Sequence, residues 1–140
     1  MPKPNFEIMD EPTQEVIDAV EEGLISSVPK GIDRGKRSKI GVFLRDDEGR
    51  IVAGVTGKTW WGWLDIDRLW VHKDLRGEDI GTQLMQKAEE IACERGCHSS
   101  LLDTMDFQAR DFYEKLGYKV FTELNDFPKG HSRYFLSKKL

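Results

Sequence analysis

No run of apolar residues in this chain approaches the ~18 that a membrane-crossing helix requires. The first ten residues, MPKPNFEIMD, lack the apolar core of a secretion signal. A cytoplasmic protein with no membrane partner is expected. Cysteine is scarce: Cys93 and Cys97, four apart, fit neither a C-x-x-C redox pair nor a zinc half-site. Both are expected to pack as small apolar groups near a helix end, and no metal is implied. A surplus of positive charge is also missing. The net charge of −4 excludes a wholesale nucleic-acid binder, and the five bases at 30–39 have no aromatic platform among them. Internal repeats, low-complexity tracts and linkers are absent as well.

What remains is an ordinary globular composition, 39% hydrophobic and 33% charged over 140 residues. A single domain spanning 1–140 is expected, burying roughly 68–70% of its unfolded surface. Charge is unevenly placed. Seven acids (Glu7, Asp10, Glu11, Glu15, Asp18, Glu21, Glu22) occupy 7–22, and five bases (Lys30, Arg34, Lys36, Arg37, Lys39) come after them. A solvated helix face and then an exposed basic loop account for this; an acidic wall attracting a cationic ligand is the sharper alternative.

Residues 5–9 suit a short strand. Pro12 and Thr13 suit a helix start, with Val16, Ile17, Val20 and Leu24 at helical spacing. Ile40, Val42 and Leu44 alternate as in a strand, and two more strands over 50–60 and 62–71 meet at Trp61-Gly62. Ile80, Leu84, Ala88, Ile91 and Ala92 mark one face of a helix stopped by Gly96. A buried strand over 98–104, a helix over 106–116 closed by Gly117, and strands near 118–124 and 132–138 complete the chain. The order β-α-β-β-β-α-β-α-β-β predicts an α/β (α+β) fold: a mixed sheet of about seven strands covered by helices on both faces.

The stretch LWVHKDLRGEDIGTQLM (residues 69–85) places a basic, glycine-containing turn between a strand and a helix start. It is not a Walker loop, which needs Gly-x-x-x-x-Gly-Lys-Ser/Thr, nor a three-glycine Rossmann turn. Free amides and a helix dipole still offer an anion site there.

That stretch resembles the coenzyme A loop, Gln/Arg-x-x-Gly-x-Gly/Ala, of the GNAT superfamily of N-acetyltransferases. Arg76 and Gly81 match its first and last positions, and Asp79 replaces the middle glycine. FQARDFYEKLGYKVF (residues 107–121) resembles the later motif, Asn-x-x-Ala-x-x-Phe-Tyr-x-x-x-Gly-Phe. Ala109, Phe112, Tyr113 and Gly117 match; Asp106 stands for the Asn and Tyr118 for the final Phe. The resemblance spans nearly the whole chain and is greatest to small bacterial members whose loop also reads Arg-Gly-x-Asp-Ile-Gly. It implies a mostly antiparallel sheet, acetyl-CoA as acetyl donor, and direct attack by an amine in a ternary complex. It further implies that Arg76, Gly77, Glu78, Asp79, Ile80, Gly81 and Thr82 hold the diphosphate, aided by Asp106, Ala109 and Phe112. Amides near Leu69, Trp70 and Val71 would face the thioester oxygen, and Tyr113 would be the leaving-group acid.

Asp79 tests the loop. Asp tolerates a left-handed backbone, and as an N-cap its carboxylate is expected to accept from Gly81 or Thr82, pointing away from the anion. An amine of pKa ~10.4 costs roughly 4.6 kcal/mol to deprotonate at pH 7, so a base is sought. In WLDIDRLWV (residues 63–71), Asp65 and Asp67 are candidates; in an unbulged strand they share a face with Leu69 and Val71. Pairing with Arg68 or Lys58 is the alternative, as is deprotonation through water. His131, between the last strands, and Trp61, in a four-tryptophan hairpin, are candidate acceptor contacts. The Trp60-Trp61 tip also suits a homodimer contact. His72 is expected to face solvent or the nucleotide end, and His98 to be structural. A small cationic amine is the expected acceptor. A non-catalytic acyl-CoA sensor and an acetyltransferase of protein lysines or N-termini are the alternatives.

Overall fold

In the computed structural model of the protein, residues 3–33 and 35–140 are described; the first two residues of MPKPNFEIMD and Arg34 of the basic run lie outside them. The chain divides into two compact units, Met1–Arg34 and Gly35–Leu140.

The first unit carries helix α1 (Gln14–Ser26). Thr13 caps it as anticipated: its backbone is extended and its hydroxyl accepts from the Val16 N–H at 3.4 Å. Residues 5–9 are irregular, so the expected first strand is absent and the sheet has six strands, not seven. Alternating apolar residues are not sufficient for a strand, because the backbone also needs a ladder partner.

The second unit holds the sheet: β1 (Ser38–Arg45), β2 (Ile51–Trp60), β3 (Trp63–Val71), β4 (Ser99–Met105), β5 (Lys119–Asn125) and β6 (Ser132–Lys139), in the order β1-β2-β3-β4-β6-β5. Only β3 and β4 are parallel. They are joined by a one-turn 3-10 helix (Lys73–Leu75) and α2 (Ile80–Glu94), the long crossover that a parallel pair needs. α2 packs on β1–β3 through Leu84, Met85, Ala88 and Ala92. Val55, Leu64, Met85, Leu136 and Tyr118 are among the fully buried side chains.

Helix α3 (Arg110–Lys115) is shorter than the expected 106–116. Gln108 Oε1 accepts from the Thr104 hydroxyl at 3.3 Å and from the Met105 N–H at 3.1 Å, and the Ala109 N–H donates to Thr104 Oγ1 at 3.4 Å. Side chains thus hold residues 104–109 in a turn that competes with helix. Tyr118 lies in the core with its hydroxyl 2.8 Å from Ser100 Oγ and 3.2 Å from Glu89 Oε2, while Glu89 Oε1 accepts from Lys138 at 2.6 Å. This network ties α2 to β4 and β6. Cys97 is buried as expected, and burial pushes its thiol pKa up; Cys93 is exposed, because it lies off the buried face of α2. No described helix is long and apolar enough to cross a membrane. Among the described residues no group of three or more His, Cys, Asp or Glu is placed to hold a metal ion.

Candidate active site

β3 and β4 pair only over Trp63↔Ser99, Leu64↔Ser100 and Asp65↔Leu101. β4 continues to Met105 on its other side, paired with β6, and β3 continues to Val71 paired with β2. Beyond Asp65 and Leu101 the two strands therefore diverge, and their facing backbone groups are left without ladder partners. The His72 N–H bonds to Val52 O at 2.8 Å. By the alternation of an antiparallel ladder, Trp70 and Arg68 also turn their N–H groups to β2, while those of Leu69 and Val71 point into the gap. Of the three expected donors, Trp70 is thereby corrected: its amide is engaged in the sheet.

The register of β3 shifts where Thr56 pairs with Arg68 but Gly57 pairs with Ile66, leaving Asp67 as the extra residue of a β-bulge. Leu64, Ile66, Leu69 and Val71 consequently lie on the core side, opposite Thr59, Gly57, Val55 and Ala53. Asp65 faces the other way with Lys58. The expectation that Asp65 and Asp67 share a face with Leu69 and Val71 fails, because one inserted residue reverses the alternation. Lys58 Nζ lies 3.1 Å from Asp65 Oδ2 and 3.3 Å from Asp67 Oδ1. Burial works against the Lys58 ammonium, but these two carboxylates outweigh it and hold its pKa above the ordinary value. Both aspartates are therefore ion-pair partners of a lysine, which weakens their case as bases.

At the open end of the gap, His72 Nδ1 accepts from the Asp74 N–H at 3.1 Å and so caps the 3-10 turn. Arg76 folds back, its Nε donating to Val71 O at 3.3 Å. Gly77 (φ 87°) and Asp79 (φ 64°, ψ 19°) both adopt the left-handed conformation. Asp79 is the N-cap of α2, as expected, but its carboxylate makes no capping bond, contrary to expectation. Side-chain capping requires extended backbone at that position, and the left-handed turn points Cβ elsewhere. The first intrahelical bond runs from Gln83 N–H to Asp79 O at 3.1 Å, so Ile80, Gly81 and Thr82 keep amides that the helix does not use. These backbone groups fit a phosphate oxygen, while the Glu78 and Asp79 charges oppose it. A Cβ on Gly81 would lie 3.2 Å from Phe112 Cζ, so the start of α2 touches α3 directly.

This geometry makes Asp79→Gly informative. Glycine removes the left-handed penalty of roughly 1–2 kcal/mol but adds about 0.5–1 kcal/mol of unfolded-state entropy, so stability should rise by no more than about 1.5 kcal/mol. Loss of the carboxylate should tighten binding of a diphosphate ligand, most at low salt. Calorimetric titration with acetyl-CoA at two salt concentrations measures the binding effect, and a thermal melt the stability. Weaker binding in the variant would overturn this view of the turn.

Tyr113, on α3, is buried to 7% exposure, and burial, with a smaller contribution from the Asp103 charge, raises its pKa to about 12. Its ring meets Phe112 and Tyr118 edge-on at 5.2 and 6.1 Å. Arg133 Nε is the one buried side-chain polar atom without a partner among the described residues. The Tyr113 hydroxyl, with no hydrogen bond there, thus reaches the surface. It is a neutral donor with a buried body and an open tip.

Asp106 and His131, expected in separate roles, are joined: Asp106 Oδ1 lies 2.9 Å from His131 Nδ1. Beside them a pocket of about 410 Å³ is lined by Asp106, Gln108, Arg110, Asp111, Phe112 and Tyr134, with Ala109 in its wall. Arg110, Gln108 and Tyr134 were not anticipated. The Arg110–Glu114 pair (2.9 Å) is legible as an i,i+4 spacing, but the Arg110 guanidinium over the Tyr134 ring at 4.4 Å depends on the β6 register and leaves no local signal. Trp60 and Trp61 stack at 4.0 Å, and Arg37 covers Trp60 at 4.1 Å. His98 is structural, as expected: it bonds Ser99 Oγ at 2.9 Å and packs edge-on against Trp63.

The profile of the acetyltransferase (GNAT) family matches residues 7–118. The blasticidin-S acetyltransferase of Streptomyces morookaense is 38% identical over 95 residues, covering 67% of this chain and 70% of that protein. An acetyltransferase of Agrobacterium fabrum is 29% identical over 135 residues, 96% of this chain and 98% of that protein. Among solved structures, an acetyltransferase from Bacillus cereus superposes with a TM-score of 0.79 at 33% identity, covering 96% of this chain and 98% of that one. With the diverging parallel strands and the left-handed turn, these similarities establish that the chain belongs to the GNAT family and is an acetyl-CoA-dependent N-acetyltransferase.

Proposed function

We propose that residues 1–140 act as one catalytic domain that transfers the acetyl group of acetyl-CoA to a primary amine of a small cationic molecule, by direct attack in a ternary complex. The observation that carries this reading is the divergence of β3 from β4, which leaves the Leu69 and Val71 amides facing a gap between strands. A relative named for blasticidin-S supports a small-molecule acceptor, and the acids of residues 7–22 support a cationic one. In this reading the Arg-Gly-x-Asp-Ile-Gly turn is a likeness to small bacterial members of the family.

In this reading the turn from Arg76 to Thr82 holds the diphosphate through its backbone amides. Phe112 supports that turn from α3, and Ala109, the N-cap of α3, packs against the core. The Leu69 and Val71 N–H groups stabilise the negative charge that develops on the thioester oxygen. Attack forms the C–N bond and breaks the C–S bond, and the proton lost from nitrogen ends on sulfur. Tyr113, protonated throughout the neutral range, donates to the departing thiolate. With Asp65 and Asp67 engaged by Lys58, deprotonation of the ammonium through ordered water becomes the preferred route. Trp61 and His131 border the acceptor.

A panel of polyamine-like and antibiotic-like amines, incubated with acetyl-CoA and assayed by mass spectrometry, tests the reading. Acetylation of at least one amine by the wild-type protein is expected; none across the panel would overturn it. A homodimer through the half-exposed Trp61 belongs to the same proposal. Sedimentation of a Trp61→Ala variant checks it: an unchanged mass would move the contact elsewhere.

A further inference from the structure

We propose that Asp106 and His131 form a clasp that positions α3, and with it Tyr113, for acetyl transfer; this rests on Tyr113 being the leaving-group acid. Asp106 is the first residue beyond β4, and its N–H and both carboxylate oxygens are taken up around the start of β6. The N–H donates to Ser132 O at 2.9 Å, Oδ2 accepts from the Ser132 N–H at 3.0 Å, and Oδ1 meets His131 Nδ1 at 2.9 Å. His131 in turn closes the loop between β5 and β6. Its N–H donates to Pro128 O at 2.9 Å, and its carbonyl accepts from the Phe127 N–H at 3.1 Å. The Phe107 ring stands edge-on to the imidazole at 5.1 Å.

The clasp matters because α3 begins only four residues beyond Asp106 and cannot place itself. The helix has six residues, too few to hold its own shape or position. It is fixed at one end by the Tyr118 N–H on Tyr113 O (3.1 Å) and at the other by the turn over 104–109, in the middle of which Asp106 lies. Phe112 presses on Gly81 at the start of α2, so a shift of α3 would disturb both the Tyr113 hydroxyl and the amide turn.

The clasp also supplies a chemical reason for aspartate at this position. Both oxygens receive donors, and a carboxylate is an acceptor only, so His131 must carry a proton on Nδ1, in its neutral or its charged form. Burial alone would raise the Asp106 pKa, but the Ser132 N–H and His131 outweigh it, so the carboxyl lies below its ordinary range. An asparagine has one acceptor oxygen. With that oxygen on Ser132 its amide N–H₂ would face His131 Nδ1, which is tolerable only while that nitrogen is unprotonated. Asp106→Asn therefore makes the clasp depend on a His131 ring that carries no proton on Nδ1, which the wild-type carboxylate does not require. The neighbouring charges are Asp126 and Lys129 in the same loop, and Arg110 and Asp111 in the pocket that Asp106 lines; none bonds the His131 ring among the described residues.

Two readouts test this in wild type, Asp106→Ala, Asp106→Asn and His131→Ala between roughly pH 5.5 and 8.5: amide hydrogen exchange over residues 109–117, and steady-state kinetics on the best amine. Asp106→Ala and His131→Ala should speed exchange in α3 by about tenfold and lower kcat by about tenfold, with KM for acetyl-CoA changed less than about threefold. In Asp106→Asn both readouts, with exchange taken relative to the intrinsic amide rate at each pH, should be worse at the acid end of that range than at the alkaline end, while wild-type protection holds. Wild-type exchange in the alanine variants, or an Asp106→Asn profile parallel to wild type, would overturn the clasp. Should wild type acetylate nothing, the functional reading fails, and exchange alone then decides the clasp.

Discussion

Tyr113→Phe is expected to lower kcat by about 10²- to 10⁴-fold while acetyl-CoA binding and the melting temperature stay near wild type. The ring is what the core holds, against Phe112 and Tyr118, and phenylalanine keeps it. The hydroxyl bonds no described residue, so its removal leaves no buried partner unsatisfied, which is the usual origin of a large stability loss. What disappears is a neutral donor that burial keeps protonated, with its pKa pushed up to about 12. Steady-state kinetics with parallel calorimetric titration separates the outcomes. If kcat stays within about twofold of wild type, Tyr113 is core and some other group protonates the thiolate.

Gly57→Ala should produce the largest structural effect of any single methyl group in the sheet. Gly57 faces Ile66 across the bulge, and a Cβ there would run into the carbonyl oxygen and carbon of Asp65 and the Cα of Ile66, all backbone. A flexible side chain could step aside, but paired strands cannot. A loss of roughly 1–3 kcal/mol or more is expected from overpacking. Because the clash sits at the bulge that sets which amides of β3 face the gap, turnover should fall in protein that is still folded. Thermal melts and kinetics below the transition test both halves. A variant with wild-type stability and turnover would show that the bulge is not rigid.

Much of this arrangement is legible in the residues. Thr13 begins α1, Gly96 and Gly117 come after α2 and α3, and the Trp61-Gly62 turn joins β2 to β3, because caps and tight turns are decided by local backbone chemistry. The left-handed backbone at Asp79 is of the same kind. Its missing capping bond is not, since the expectation combines two properties of aspartate that one conformation cannot satisfy together. α3 is shorter than its residues suggest because Gln108 reads as a helix former until Thr104 is seen to hold it.

The assignment of Asp65 and Asp67 to the face of Leu69 fails for a different reason. A bulge is a property of two strands in register, and WLDIDRLWV carries no mark that one residue will go unpaired. The same holds for the Asp106–His131 contact, which joins residues 25 apart, and for Tyr134 beneath Arg110. The order of residues is enough to assign the family, the strand–turn–helix that offers amides to an anion, and the placement of Tyr113 after Phe112. Each is written in a short stretch where neighbours in the chain are neighbours in space. The folded chain was needed to learn which amides face the gap, which carboxylates are engaged by Lys58, and what holds α3 in place. Those depend on strand register and on side chains meeting across the sheet, and long-range packing sets both.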